Sequence, residues 1–161
     1  YPVPAAHGGA NGLIRFDFWA TAYYGDPMSE IADFVHHNAA KVTPQILHGV
    51  HLKLPQLKLE FAEIHAPKYP HLVDQLELLA DVIEDYAEGA DQEIPYFVIA
   101  EACFALAYAH NQTHLIPDHV ADVGYADESA VVRTVFIENE KAISEYCKRH
   151  GLDFAEVTTE A

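Results

Sequence analysis

The chain has 161 residues, half of which are hydrophobic, and its 25 acidic and 9 basic side chains give a formal net charge of −16. This length and composition predict one globular domain with its own core and exclude a disordered chain. The negative charge argues against nucleic acid and anionic membrane surfaces as partners, because both contacts require positive charge on the protein. It is compatible with cations, with a basic protein partner, or with a role in solubility alone.

Residues 1–28 are predicted to form an N-terminal arm followed by an aromatic segment. The first dozen residues, Y-P-V-P-A-A-H-G-G-A-N-G, predict a flexible arm, whereas the periodicity of residues 13–24 does not distinguish a helix from a strand. No signal peptide is visible, although a start at Tyr1 is compatible with a processed leader. Two isolated cysteines, Cys103 and Cys147, predict reduced and mostly buried thiols in a cytoplasmic protein.

Proline and glycine divide the middle of the chain into predicted helices. Ser29 is a candidate N-cap of the first helix, and Thr43-Pro44 has the N-cap and first-turn proline of the second. Pro55 is expected to interrupt this second helix and restart the chain. Apolar residues then recur at helical spacing until Gly89, which predicts a third long helix.

An apolar helix is predicted over residues 95–110, and because it is hydrophobic on every side we expect it at the centre of the bundle. It is short for a membrane span and carries Glu101, which favours a core helix over a membrane helix. Residues 127–129 are expected to cap a last long helix that ends at Gly151. The sum is an all-α, compact single-domain bundle of five or six helices over residues 29–151, followed by a C-terminal tail at 152–161.

A cluster of possible metal ligands follows the apolar helix. The stretch H-N-Q-T-H-L-I-P-D-H-V-A-D-V-G-Y-A-D-E, residues 110–128, holds three histidines and four carboxylates. Its segments L-I-P-D (115–118) and G-Y-A-D-E (124–128) resemble the signature of the YkvA-like family, also named DUF1232, in which an apolar helix leads into such a motif. The resemblance covers roughly residues 95–143. It implies a helical protein, often membrane-associated, but no activity, because none is established for the family.

The same stretch predicts a divalent metal site. His114 stands where the family has an aspartate, and if that position binds a cation, the replacement moves the preference from Mg²⁺ towards Zn²⁺, Ni²⁺ or Fe²⁺. His110 and His114 lie on one helical face if the helix reaches them, and a tight turn could bring Asp118 back towards them. Asp127 and Glu128 arrive at the start of the next helix. The alternative is that the aspartates cap backbone amides and the histidines are solvated.

His48 and His51 form a second candidate pair of metal ligands, three residues apart on a predicted helix. Such a pair alone is weak evidence, since partly buried histidines with hydrogen-bond partners are commoner than ligands. The total of 11 histidines in the chain favours a ligand role for this pair more than the spacing alone does. A helical bundle can also build a site from facing helices, so this half of the chain could supply ligands to the loop.

Glu101 is the candidate catalytic residue. A buried, unpaired carboxylate costs several kcal/mol, so this side chain is expected to be paired, protonated or bound to metal. A hydrogen-bonded glutamate and an acid/base or ligand role both remain open. Six further carboxylates follow the outer side of the third helix and predict a solvated face, with docking of a basic protein as the alternative. They are Asp74, Glu77, Asp81, Glu84, Asp85 and Glu88.

Three functional hypotheses follow. The first is a metal-binding helical protein, and the second is a metal-dependent enzyme, of hydrolase or oxygenase type, that uses Glu101 as acid/base. The third is an acidic interaction or immunity-type protein that binds no metal. The sequence contains no glycine-rich phosphate loop, no G-x-S-x-G elbow, no H-E-x-x-H and no paired E-x-x-H motifs, which argues against the enzyme classes that use them.

Overall fold

The computed structural model describes the backbone of residues 27–113 and 125–158 and the side chains of residues 30–110 and 125–158, together with a short strand pair. In that pair, β1 (His7–Gly8) and β2 (Ile14–Arg15) run antiparallel. The rest of the predicted N-terminal arm, with most of the aromatic segment, lies outside the described residues.

The predicted all-α fold is confirmed, because the regular structure of the two longer described stretches is helical. Seven helices occur there: α1 (Pro27–Ala39), α2 (Pro44–Ala62), α3 (Leu72–Ala87), α4 (Tyr96–Thr113), α5 (Ala126–Glu138), α6 (Glu140–Arg149) and α7 (Phe154–Thr158).

Helix α4 lies at the centre of the bundle, as its apolar sequence predicts. It packs against α1, α2, α3 and α5, and most of its side chains up to Ala109 are buried. The core also contains Leu76 and Leu79 of α3 and Val132 and Val135 of α5, all fully buried. Among the described residues, none of the helices combines the length and apolar character needed to cross a lipid bilayer.

The first two helices, α1 and α2, each begin at a proline. Thr43 caps α2 as predicted, since its side-chain oxygen accepts a hydrogen bond from the Ile46 N–H at 3.2 Å and Pro44 occupies the first turn. The predicted N-cap of α1 is wrong, because the helix begins at Pro27 and Ser29 lies inside its first turn. Proline suits this position, since the first helical N–H groups have no partner within the helix.

The predicted break at Pro55 is also wrong, because α2 continues through this residue to Ala62. Proline removes one backbone donor, and its ring crowds the carbonyl group one turn earlier. Pro55 is exposed, whereas its neighbours Leu54 and Leu57 are buried against the core. The packing of that apolar face therefore holds the helix together despite the local cost.

The last long helix of the prediction is divided into α5 and α6 at Asn139, whose φ of −120° and ψ of 27° leave the helical region. Its side-chain Nδ2 donates to the carbonyl oxygen of Val135 at 2.8 Å, a local bond that competes with the helical ladder. The predicted caps at 127–129 lie within the first turn of α5. The N-cap position belongs to Tyr125, which makes no side-chain capping bond.

Two glycines end helices as predicted. Gly89 and Gly151 have φ values of 78° and 69°, in the left-handed region that favours glycine. The segment predicted as a C-terminal tail contains α7, which contacts α3 and α6. The side-chain amide of Gln75 donates a hydrogen bond from Nε2 to the carbonyl oxygen of Val157 at 2.8 Å. The bundle therefore extends past the predicted boundary at residue 151.

Candidate functional site

A cleft of about 590 Å³ opens between the C-terminal end of α1, the N-terminal part of α4 and the junction of α5 with α6. Its wall is mostly apolar, and the polar groups are few. The lining residues are His36, Ala39, Ala40, Val42, Tyr96, Phe97, Ala100, Glu101, Glu138 and Asn139.

Glu101 is the buried acid of this cleft, with 4% of its surface exposed. The Asn139 Nδ2 donates to Glu101 Oε1 at 3.3 Å, and the His36 Nε2 lies 3.8 Å from the same oxygen. Burial raises the pKa of Glu101 above its usual value, while the Asn139 bond and His36 oppose this rise and the charge of Glu138 adds to it. The net direction is upward, so the carboxylate is held in surroundings that favour its neutral form.

The two carboxylate oxygens of Glu101 differ in their hydrogen bonds. No hydrogen bond reaches Oε2 from any residue that the structure describes, and the side chain lines the cleft. A carboxylate oxygen can accept two hydrogen bonds, so this side of the group retains capacity for a donor. The expectation that Glu101 is paired is met at Oε1 only.

Local sequence explains how the cleft is built. Pro95 sets the start of α4, whose backbone N–H groups at Val98 and Ile99 bond to the Pro95 carbonyl at 3.0 and 3.4 Å. Glu101 follows within the second turn. Sequence reasoning missed Asn139, since its contact spans 38 residues and depends on the break between α5 and α6. An asparagine inside an apolar helical pattern is the signal that could have found it.

The predicted metal ligands are described only in part. His110 lies near the C-terminal end of α4, and its Nδ1 is 2.7 Å from Oε2 of Glu60 on α2. Asp127 is half-buried and Glu128 fully buried in the first turn of α5, where the helix dipole favours carboxylates. His114 and Asp118 lie outside the described residues. Glu60 was not predicted from the sequence, because its partner is 50 residues away.

The second histidine pair is placed apart from this group. His48 is exposed, and the Nε2 of His51 lies 3.5 Å from Oε2 of Glu88. At a rise of 1.5 Å per residue, His51 is roughly 13 Å along α2 from Glu60. In the part of the chain with described side chains, no group of three or more histidine, cysteine, aspartate or glutamate residues is arranged to hold a metal.

The acidic side of α3 is only partly a solvated face. The ammonium group of Lys58 lies 3.0 Å from Asp81 Oδ1 and 2.9 Å from Glu84 Oε2, and the Tyr146 hydroxyl donates to Asp85. With His51 beside Glu88, four of the six carboxylates have partners within the bundle. Asp74 and Glu77 are exposed as predicted.

An ion-pair cluster forms around the buried Asp91, in the segment before α4. Arg149 donates from Nε to Oδ2 at 2.9 Å and from Nη2 to Oδ1 at 3.1 Å, and His150 Nε2 lies 2.8 Å from Oδ2. Burial acts to raise the pKa of Asp91, but the bonds from Arg149, His150 and the Glu93 N–H outweigh it and lower that pKa. The bidentate bond ties the end of α6 to the segment that leads into α4.

Both cysteines are buried and free of disulfides, as predicted. Burial raises the pKa of the Cys103 thiol to about 12, so a thiolate is disfavoured at neutral pH. Burial and the charge of Asp153 raise the pKa of the Cys147 thiol as well.

Comparisons of the chain with protein-family models, curated proteins and solved structures find no significant match. The resemblance to the YkvA-like family therefore stays a prediction.

Proposed function

We propose that the protein binds a small organic molecule in the cleft beside Glu101. The observation that carries this proposal is a carboxylate only 4% exposed, with Oε2 not hydrogen-bonded by a described residue, on the wall of a mostly apolar cleft of about 590 Å³. Ligand sites have this character, since an apolar wall supplies affinity and a few fixed polar groups orient the ligand.

A purely structural role for Glu101 is less favoured by its surroundings. Its one hydrogen bond, at 3.3 Å from a neutral amide, offsets little of the cost of removing a carboxylate from water. Leucine or glutamine would fill the same space in α4 without that cost. A carboxyl group with a raised pKa beside a ligand is also suited to proton transfer, so acid/base catalysis remains the enzymatic form of this proposal.

The proposal is tested by mapping ligand binding with NMR. A fragment library is added to the labelled protein, and we expect binding fragments to shift the methyl signals of Ala39, Ala40 and Ala100. The variant Ala40→Trp, at the exposed edge of the cleft, should abolish these shifts by filling the space. Ala87→Trp, exposed at the end of α3, is the matched control. A library that shifts no residue of the cleft would contradict the proposal.

A second candidate function is binding of a divalent metal by His110, His114, Asp118 and Asp127, with Zn²⁺, Ni²⁺ or Fe²⁺ preferred over Mg²⁺. The 2.7 Å contact between His110 and Glu60 supports it. Histidines that bind metal usually donate the other ring N–H to a carboxylate, which fixes the tautomer and the orientation of the ring.

Chelation tests this second candidate. Removal of a metal that binds only the folded state should lower the melting temperature. A free metal concentration one hundred times Kd stabilises the folded state by about 2.7 kcal/mol, and chelation removes this stabilisation. His114→Ala and Asp118→Ala should each remove the effect of the chelator, whereas Asp74→Ala, on the exposed side of α3, should not. An unchanged melting temperature, with no metal found by elemental analysis of untagged protein, would rule the metal site out.

A further inference from the structure

We infer that the ligand of the Glu101 cleft is an organic cation, a protonated amine on an apolar or aromatic body. This inference rests on the proposed function and adds the chemical class of the ligand. It is carried by the charge, burial and arrangement of the residues that line the cleft.

The described residues that line the cleft include two acids, Glu101 and Glu138. None of these described lining residues is a lysine or an arginine. His36 also lines the cleft, and its Nε2 stands 3.8 Å from Glu101 Oε1 with the side chain half exposed. Carboxylates set in a low-dielectric wall create a negative potential that concentrates cations.

The position of Glu101 within the cleft favours a charged donor over a neutral one. An alcohol or amide would bond to Oε2 but leave the buried negative charge uncompensated. An ammonium group supplies both the hydrogen bond and the opposite charge, and such charge-assisted bonds are roughly twice as strong as neutral ones. The two oxygens then divide their partners, with Asn139 on Oε1 and the ligand on Oε2.

Aromatic side chains at the rim fit the rest of such a ligand. Phe97 precedes Glu101 by four residues and therefore lies on the same face of α4, and it is 59% exposed. Tyr96 is 39% exposed beside it. An aromatic face attracts a cation that passes over it and contacts an apolar body. Ala39 and Val42 add to the apolar lining of the cleft.

The inference is tested with matched probes that differ only in charge. Each aryl-alkyl amine, such as 2-phenylethylamine, is paired with the alcohol of the same skeleton, here 2-phenylethanol. Binding is measured by calorimetry and by the NMR shifts of the cleft alanines. At neutral pH we expect the amines to bind roughly tenfold to a hundredfold more tightly than the alcohols, which is the range for a hydrogen bond to a charged group.

Two variants decide whether Glu101 is responsible. Glu101→Gln keeps the shape and the Asn139 contact but removes the charge, and it should bring the two probe series to equal affinity. Glu77→Gln, an exposed acid on α3, removes one charge elsewhere and should leave the preference unchanged. The circular dichroism spectrum and melting temperature of each variant establish that it is folded.

The pH dependence gives an independent readout. Affinity for the amines should fall as the pH is lowered, because Glu101 becomes protonated and loses the charge that attracts them. The other titratable groups among the described lining residues are His36, Tyr96 and Glu138. The difference between wild type and Glu101→Gln in this loss of affinity measures the contribution of Glu101. Affinity for the alcohols should change little.

The outcomes separate the two proposals. Amines and alcohols that shift the cleft residues with equal affinity would overturn the cation preference and leave the binding cleft supported. If Glu101→Gln still binds amines more tightly than alcohols, the preference comes from another acid, and the role of Glu101 is overturned. If neither series shifts the cleft residues, both the inference and the proposed function fail.

Discussion

Glu101 and Asp91 are buried to a similar degree, with 4% and 7% of their surfaces exposed, yet their pKa values move in opposite directions. Burial acts on both in the same sense, against the charged form. Asp91 receives two bonds from the guanidinium of Arg149 and a contact from His150, which outweigh burial. Glu101 receives one hydrogen bond from the neutral amide of Asn139, and this bond does not outweigh burial. The charge of the hydrogen-bond partner therefore decides whether the pKa of a buried carboxyl group is raised or lowered.

The raised pKa of Glu101 predicts that Glu101→Gln stabilises the protein at neutral pH. A carboxyl group whose pKa is raised on folding contributes stability below its unfolded value, about 4.5, and loses it as the pH rises through the folded value. At pH 7 the wild type therefore carries a cost that glutamine removes. We expect the melting temperature of the variant to exceed that of the wild type at pH 7 and to match it near pH 4.

Glu138→Gln serves as the control for this comparison, since it removes a charge at the same cleft from an exposed position. Its effect on the melting temperature should be smaller than that of Glu101→Gln. A lower melting temperature for Glu101→Gln at pH 7 would show that the carboxylate stabilises the fold, and its role in the cleft would then be structural.

At the scale of the elements, long-range polar contacts fix how the helices join. Lys58 links α2 to α3, His110 links α4 to α2, and Asp91 holds the end of α6 against the segment that precedes α4. The Asp91 cluster differs from the other two because its carboxylate is buried and bound in a bidentate manner. Half-exposed pairs of the Lys58 kind contribute about 1 kcal/mol or less.

Asp91→Asn should destabilise the protein at neutral pH by about 1.5–3 kcal/mol, the usual range for losing hydrogen bonds to a charged group. The lowered pKa of Asp91 gives the sign of the pH dependence. Its contribution is present above the unfolded value, about 3.8, and is lost as the pH falls through the folded value. Urea unfolding at pH 7 and below pH 3 measures this, and the difference between variant and wild type should shrink in acid.

Glu93→Gln is the matched control for Asp91→Asn, because Glu93 also contacts Arg149, at 3.1 Å, but its side chain is 75% exposed. We expect a much smaller loss of stability from it. Equal effects of the two substitutions, or a pH-independent effect of Asp91→Asn, would contradict the account of the buried cluster.

At the scale of the whole molecule, the net charge of −16 opposes a compact state through repulsion between carboxylates. Salt screens this repulsion over a length that falls from about 30 Å at 0.01 M to about 8 Å at physiological ionic strength. We therefore expect the melting temperature to rise between these conditions. Thermal unfolding monitored by circular dichroism across a salt series measures the effect.

The double variant Asp74→Asn, Glu77→Gln tests the origin of this salt effect, because both carboxylates are exposed on α3. It should raise the melting temperature at low salt and make no difference at high salt. A melting temperature that falls with added salt would show that local pairs, such as those of Lys58, outweigh the general repulsion.

Much of the bundle could be predicted from the sequence because it depends on local chemistry. The Thr43-Pro44 cap, the glycine stop at Gly89 and the central position of α4 are each encoded within a few residues. Two of the wrong predictions, at Pro55 and at the division of the last helix, are places where tertiary packing or a side chain outweighed the local rule. Propensity favours a break at proline, and only the buried face of α2 shows why none occurs.

The sequence by itself determined that this chain folds as a helical bundle, that its most apolar helix lies in the core, and that Glu101 is an acid in apolar surroundings. Periodicity and composition carry that information because they specify which face of each helix leaves water. Only the tertiary structure decided what Glu101 faces. The cleft, the Asn139 contact and the pairing of His110 with Glu60 join residues tens of positions apart, and no local pattern specifies which helices meet.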